Sequence, residues 1–359
     1  MQMEDLDAHW HALSDEVITQ MKEWRMQHPR ATFQEIETAL DERLALLRVR
    51  LLEDAALVSR AADLTTATEE ERPGCPECGT RMELRGHPTR ELLTNHDQTI
   101  ELKRRDAVCP QGHGGIFPLD EELQLLPGRL TPALAESLVH LGTWMPFGRA
   151  VKELHYFHRV HLTEATVRRE TETAGAADVT VQTDQVEHRE RTTPTPPAGP
   201  PLQRMSVDGA CIRLVHGEWA EVKTLAIGDV QPPVTDAQTG ESVVPSTNLS
   251  YFSRLADAET FGRRALVETQ RRGTETAKQV CAVSDGAEWE PGFVDLHRRD
   301  AVRILDFRHA GGYVVAAGDA VWGDGSDASK TWWEKRLHEL KQGSPDLVLA
   351  QLRELRRRT

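Results

Sequence analysis

Apolar residues recur at helical spacing early in the chain, at Phe33, Ile36, Leu40, Leu44, Leu47 and Leu51, and the pattern runs to about Leu57. Thr32 and Glu35 supply a capping box at its start, so a long amphipathic helix begins there. Its periodicity suits packing on the protein's own core and pairing with another copy equally well. The segment TTATEEERPG, residues 65–74, has the composition of a linker. From 75 to about 117, short alternating runs around a Gly-His-Pro turn predict two or three short strands. Leu134, Leu138 and Leu141 then mark a helix, Pro146 breaks it, FGRAVKELHYF forms a second, and LTEATVRRETETAG forms a third that begins at Thr163. The stretch RTTPTPPAGPPLQR, residues 191–204, holds five prolines and reads as an extended linker at a domain boundary.

Beyond this linker the period changes to that of strands. QRMSVDGACIRL carries Met205, Val207, Cys211, Ile212 and Leu214 around Asp208-Gly209, and EWAEVKTLAIGDV is its expected antiparallel partner. A helix from about Asp257 to Arg272 leads into AKQVCAVSDGAEW, an apolar strand ending at Asp285-Gly286. A further strand ends at Asp306 and is followed by a helix. This order of strand meander, helix, strand, helix and strand predicts an α+β domain of the ribonuclease-H type. In that fold the first strand lies beside the strand that follows the first long helix, so Asp208 and Asp285 are expected to meet.

Composition narrows the class. A chain of 359 residues suggests two or three units, each with its own core. No apolar run approaches the ~18 residues that span a bilayer, and MQMEDLDAHW lacks the basic flank and apolar core of a secretory signal, so the expected location is the cytoplasm and no membrane is expected as a partner. The formal charge of −14 argues against a surface that binds phosphate throughout, which leaves DNA binding to local basic clusters. Those clusters are Lys103-Arg104-Arg105, Arg168-Arg169, Arg263-Arg264, Arg271-Arg272 and Arg356-Arg357-Arg358; solvated helix faces are the bland account of each.

The five cysteines fit a reducing compartment and a metal site better than a disulfide framework. CPECG places Cys75 and Cys78 two residues apart, and CPQGH brings Cys109 and His113 about 30 residues later. With short strands between the two half-sites, this is the layout of a zinc ribbon, in which thiolates close a tetrahedral structural Zn²⁺ site. A redox pair is the competing reading of Cys-x-x-Cys, and the second half-site disfavours it. A ribbon would place a cysteine at position 112, where this chain has Gly112, so His113 is the expected fourth ligand, with His87 and His96 as alternatives.

The two short helices and the third helix after them read as a helix-turn-helix that presents Thr166, Arg168 and Arg169 to a DNA groove, or as an ordinary helical hairpin. Aspartates beside glycine at strand ends are often turn formers. Two of them in matching VDGA and SDGA settings make a better candidate for a metal site.

Taken together, CPECG…CPQGHGGIFPLDEELQL, LTPALAESL…LTEATVRRETETAG, SVDGA, SDGAEW and ILDFRHA look like the Kra family of bacterial insertion-sequence transposases, which have a DDE catalytic domain. The resemblance covers nearly the whole chain from the capped helix onward. It implies a DNA transposase with Asp208 and Asp285 as the first and second catalytic carboxylates and magnesium ligands, and with Asp306 and His309 in the LDF-x-H segment beside the site. Double-stranded DNA, both element ends and target, would be the partner, and the protein would act as a dimer or larger assembly. Mg²⁺ held by one or two carboxylates plus substrate phosphate suits in-line displacement at phosphorus.

Two departures qualify the resemblance. The last cysteine of the second knuckle is missing, and the family's third acidic residue would follow a helical insertion within which this sequence stops. Glu334 and Glu339 lie in an amphipathic helical pattern with Trp332, Trp333 and Leu337, where exposed glutamates are the ordinary expectation. The sequence thus predicts a helical arm over 1–74, a zinc ribbon over 75–120, a helix-turn-helix over 121–190, the linker 191–204, an incomplete ribonuclease-H-like domain over 205–323 and the start of a helical insertion over 324–359. The functional expectation is a catalytically incomplete transposase. The alternatives are a DNA-binding remnant that regulates transposition and a zinc-stabilised interaction protein.

Overall fold

The computed structural model describes residues 3–192, 194–214, 217–235, 237, 240 and 242–358. The chain divides into two units, Met1–Asp178 and Val179–Thr359, and is multidomain with mixed helix and sheet.

The first unit opens with two helices, α1 (Met3–Gln27) and α2 (Phe33–Leu57), packed on each other. The expected capping box starts α2: the Thr32 hydroxyl accepts from the Glu35 N–H at 3.3 Å, and Glu35 Oε2 accepts from the Thr32 N–H at 2.7 Å. Within the helical arm expected over 1–74 only the helix from Thr32 was delimited, and α1 is carried by the helical spacing of Leu6, Trp10, Leu13, Val17, Met21 and Trp24. Trp10 Nε1 donates to Asp54 at 3.1 Å and ties α1 to the end of α2.

The ambiguity over what α2 packs against is partly resolved. Its buried Val49 joins Ala61, Ala62, Leu92, Ile100, Leu102 and Leu119 in one core, so its second half rests on the hairpin formed by β1 (Glu83–Arg85) to β3 (Thr99–Lys103) in the part where β2 (Thr89–Leu93) pairs β3. Separately, β1 pairs β4 (Asp106–Val108), which pairs β5 (Gly115–Ile116). A single turn, α3 (Pro118–Glu122), leads to α4 (Pro132–Trp144), α5 (Phe147–His158) and α6 (Glu164–Thr192). Leu134, Leu138, Ala150, Leu154, Val160 and Val167 form the core of these last three helices. The third helix runs on to Thr192, well past the predicted end near 174, because no glycine turn or proline stops it before Pro194.

The second unit is built on a five-stranded sheet. Its strands are β6 (Leu202–Arg213), β7 (Trp219–Val230), β10 (Ser246–Leu255), β11 (Gln279–Ser284) and β12 (Val302–Leu305); β8 (Val234–Thr235) and β9 (Ser242–Val243) form a separate two-stranded ribbon. The sheet order is β10-β7-β6-β11-β12. β6, β7 and β10 run antiparallel in sequence, as a meander must, whereas β11 and β12 lie parallel to β6. Parallel neighbours need crossover connections. Here α7 (Ala258–Arg271) precedes β11, and α8 (Glu290–Arg298) joins β11 to β12.

Alternation along β6 separates two faces. Met205 and Val207 point into a core with Leu225, Ile227, Phe252, Phe261, Ala265, Phe293 and Val294, so α7 and α8 cover that face. Asp208 lies on the other one and is exposed. Three more helices follow: α9 (Phe307–Trp322), α10 (Asp327–Lys341) and α11 (Pro345–Arg358). α10 packs closely on α9, where a Cβ on Gly318 would sit 2.9 Å from the Ser329 hydroxyl.

Candidate metal centre and carboxylate row

The two cysteine half-sites fold as knuckles. In the first, Gly79 N–H donates to the Cys75 carbonyl at 2.8 Å with Gly79 at φ +72°, which bends the chain so that Cys75 and Cys78 face one point. In the second, Gly112 N–H donates to the Cys109 carbonyl at 3.1 Å, with Gly112 at φ +84°. That left-handed residue stands where a cysteine was expected, and the turn it permits carries His113 into the ligand position instead.

Cys75, Cys78, Cys109 and His113 bring one donor atom each to within 4.8 Å of all the others, and theirs is the one such cluster of three or more among the described residues. Cys78 Sγ lies 3.7 Å from Cys109 Sγ, and His113 Nδ1 lies 3.8 Å from Cys75 Sγ and 3.7 Å from Cys109 Sγ. Around a tetrahedral Zn²⁺ with Zn–S near 2.3 Å, two sulfurs are separated by about 3.8 Å and a sulfur and a nitrogen by about 3.6 Å. The donor set and its spacing therefore fit a metal such as zinc, and His87 and His96 stand outside it. Hydrogen bonds from Thr80, its hydroxyl before its amide, hold the Cys78 thiol down at about 6, which favours the thiolate that a metal requires.

The aspartates form a different arrangement. The β6–β11 ladder pairs Gln279 with Leu202 through Val283 with Ser206, and Asp208 and Asp285 have the same sequence offset as these pairs, 77 residues. The ladder stops at Val283 opposite Ser206; Asp285 lies two residues beyond that last pair, just past the end of β11, and Asp208 two residues beyond it within β6. The β11–β12 ladder ends with Ser284 opposite Leu305, and one step on lies Asp306, whose N–H donates to the Ser284 carbonyl at 2.8 Å. Asp208 thus lies within β6, and Asp285 and Asp306 lie immediately past the ends of β11 and β12, the next two strands of the sheet.

The three aspartates are not equivalent. Asp208 Oδ1 accepts from the Gly209 N–H at 2.7 Å and Asp285 Oδ1 accepts from the Ala287 N–H at 2.9 Å, which leaves the second oxygen of each without a donor among the described residues. Asp306 instead caps α9: its Oδ2 accepts from the Arg308 and His309 amides at 3.1 and 3.3 Å and contacts His309 Nδ1 at 3.0 Å. Burial raises its carboxyl, but these bonds from His309 and Arg308 outweigh that and hold it below the ordinary range. Asp306 and His309 lie where the sequence put them, beside the pair, with a helix-capping task of their own.

Sequence reading missed Glu290. It is 1% exposed, and its Oε2 accepts from the Gly286 and Ala287 amides at 2.9 and 3.1 Å, on the turn that carries Asp285. The only signal was a glutamate five residues after Asp285, immediately before Pro291, which is also what any first helical turn contains. Glu334 is exposed and Glu339 is paired with Arg336 at 2.8 Å, consistent with the ordinary helix-surface role expected of them.

In the first unit, Val167 of α6 is buried among α4 and α5, and Arg168 and Arg169 are exposed beside it. Thr166 shares a hydroxyl hydrogen bond with Thr163 at 2.9 Å, and Arg169 is held by Glu170 at 2.9 Å. Arg168 makes no hydrogen bond or ion pair among the described residues. No described helix is long and apolar enough to cross a membrane. No family model matches the sequence, and no curated protein matches it.

Proposed function

We propose that the chain is a DNA-binding protein of the DDE transposase kind, with a zinc ribbon and helix-turn-helix in the first unit and a ribonuclease-H-like domain in the second. The observation that carries this reading is the sheet order β10-β7-β6-β11-β12, with Asp208 in β6 and Asp285 just past the end of the neighbouring parallel strand β11. Carboxylate oxygens free of other donors suit a hard divalent cation, and Asp208 and Asp285 would hold Mg²⁺. When bound, such ions stabilise the attacking and leaving oxygens of an in-line displacement at a DNA phosphate.

The chain's own residues divide the remaining work. Asp208, exposed on the uncovered face, and Asp285, at the end of its strand, fix where a phosphate is presented. The Cys75, Cys78, Cys109 and His113 cluster braces the short strands of the ribbon around zinc. Arg168, unpaired and exposed beside the helix-turn-helix core, is the leading contact to DNA phosphate, with Arg169 and Thr166 alongside it. Binding is local because the whole chain carries −14.

A non-catalytic role is favoured by one specific feature: the acidic side chains beside the pair already serve the backbone, Asp306 capping α9 and Glu290 accepting from the Gly286 and Ala287 amides. The proposal is accordingly that this chain binds duplex DNA and a divalent cation but does not cut by itself. Fluorescence anisotropy with duplex DNA, paired with a strand-cleavage gel in Mn²⁺, tests it. Binding that falls steeply with salt and no cleavage is the expected result. Failure to bind any duplex from a randomised pool contradicts the DNA reading, and cleavage that Asp208→Asn abolishes contradicts the non-cutting part alone.

A further inference from the structure

We propose that Glu290 is the positioning residue for Asp285: it clamps the turn after β11 so that the Asp285 carboxylate is held in one position. This inference rests on the reading of Asp208 and Asp285 as a cation site and adds a residue that the reading does not contain.

The geometry of the turn carries it. Gly286 lies at φ +93°, a left-handed conformation, so the backbone reverses immediately after Asp285. The two amides exposed by that reversal, those of Gly286 and Ala287, both donate to Glu290 Oε2, at 2.9 and 3.1 Å. The Ala287 amide also donates to Asp285 Oδ1 at 2.9 Å. One N–H is therefore shared between the two carboxylates, and fixing it with Glu290 fixes the rotamer of Asp285. A Cβ at Gly286 would sit 3.1 Å from Leu305 Cδ1, so the turn is also pressed against the end of β12 and has little room to rearrange.

Glu290 is an expensive way to cap a turn. Its side chain is 1% exposed, and its Oε1 is buried without a hydrogen-bond partner among the described residues. Buried polar atoms are nearly always satisfied, and leaving one bare costs stability. α8 could start without it, since its N-cap Trp289 makes no side-chain cap and Pro291 stands in the first turn. A group retained at such cost beside a ligand has the character of an outer partner that orients the ligand, and loss of such partners weakens metal affinity by about 10- to 100-fold.

Mn²⁺ binding to the full-length, zinc-loaded protein, read from the electron paramagnetic resonance signal of free Mn²⁺, tests the proposal. Glu290→Gln keeps an oxygen for both amides and should bind within about twofold of wild type, whereas Glu290→Met, similar in size but without an acceptor, should bind about 10-fold or more weakly at a temperature where circular dichroism shows it folded. Wild-type affinity in Glu290→Met, whatever its melting temperature, overturns the proposal and leaves Glu290 a structural cap. If Glu290→Met does not fold, Glu290→Asp replaces it. Its carboxylate is one methylene too short to span both amides, so weakened binding is expected and wild-type binding overturns the proposal. Asp208→Asn and Asp285→Asn separate the two ideas. If they lose Mn²⁺ while Glu290→Met keeps it, only the positioning role fails; if they bind as wild type does, or wild type binds none, the cation site fails and the positioning role with it.

Discussion

Asp208, within β6, and Asp285, just past the end of β11, both lie two residues beyond the last pair of the parallel β6–β11 ladder, Ser206 with Val283. The parallel crossover through α7 brings them together, and α7 is anchored by Phe261, which is fully buried against Phe252 and Phe293 with ring centroids 6.0 and 5.4 Å apart. Phe261→Ala should therefore destabilise the second unit by about 3–5 kcal/mol, measured by denaturant unfolding. A loss under about 1 kcal/mol would mean that α7 does not hold the sheet in this way.

The metal centre makes a stoichiometric prediction. Protein purified without chelator should carry about one zinc per chain. Cys75→Ser and Cys109→Ser should each lose the ion and lower amide-exchange protection over 75–117. His113→Ala should weaken binding, as removal of one of four ligands must. Elemental analysis that finds no zinc in the wild-type protein contradicts the ribbon.

Histidine 297 should make the second unit sensitive to acid. It is 9% exposed, lies tilted by 40° against the Phe293 ring with centroids 4.2 Å apart, and contacts the Thr269 hydroxyl at 3.1 Å. Burial lowers its folded-state value from 6.5 to about 4. Between those values the unfolded chain binds a proton that the folded chain refuses, so stability is full above about 6.5 and falls as pH drops toward about 4. The loss is on the order of 3 kcal/mol. Urea unfolding of wild type and His297→Phe across this window should show the slope in wild type and a much flatter profile in the variant.

Two glycines should respond oppositely to alanine. A Cβ on Gly199 would lie 2.1 Å from the Gly273 carbonyl oxygen and 2.5 Å from the Ala277 nitrogen, all backbone, so Gly199→Ala should destabilise strongly. Gly175 lies within α6 with nothing within 4 Å of a Cβ. Gly175→Ala should stabilise by about 0.5–1 kcal/mol through helix propensity. Thermal unfolding of both variants checks the pair, and a neutral Gly199→Ala would contradict the close approach.

Much of this was legible in the sequence, unevenly and for physical reasons. The metal ligands could be read because a four-ligand site needs local knuckles, and Cys-x-x-Cys advertises one. The second knuckle was harder: Gly112 looked like a lost ligand until its left-handed conformation showed how the chain delivers His113. The strand ends at Asp285 and Asp306 followed from apolar runs that stop at a turn, whereas the strand end expected at Asp208-Gly209 is absent, because β6 keeps pairing with β7 as far as Arg213. That β6, β11 and β12 lie side by side could not be read from any local pattern, since it depends on which strands pair. Glu290 was invisible because a buried clamp and a solvent-exposed first-turn glutamate are the same letter in the same place. The extra length of α6 was missed because its second half, with only Val179, Val181 and Val186 among polar residues, offers little periodicity to follow.

On DNA, the double variant Arg168→Ala with Arg169→Ala should weaken duplex binding and lower the slope of log affinity against log salt by about 1–2, the number of phosphate contacts removed. Unchanged affinity and slope would show that the start of α6 does not face DNA.

Isothermal titration of Mn²⁺ into zinc-loaded wild type, Asp208→Asn and Asp285→Asn decides whether Asp208 and Asp285 act together as one cation site. Weak, saturable binding in wild type that disappears in both variants, with their melting temperatures preserved, is the result predicted. Equal binding in all three proteins, or none in wild type, would contradict a shared site.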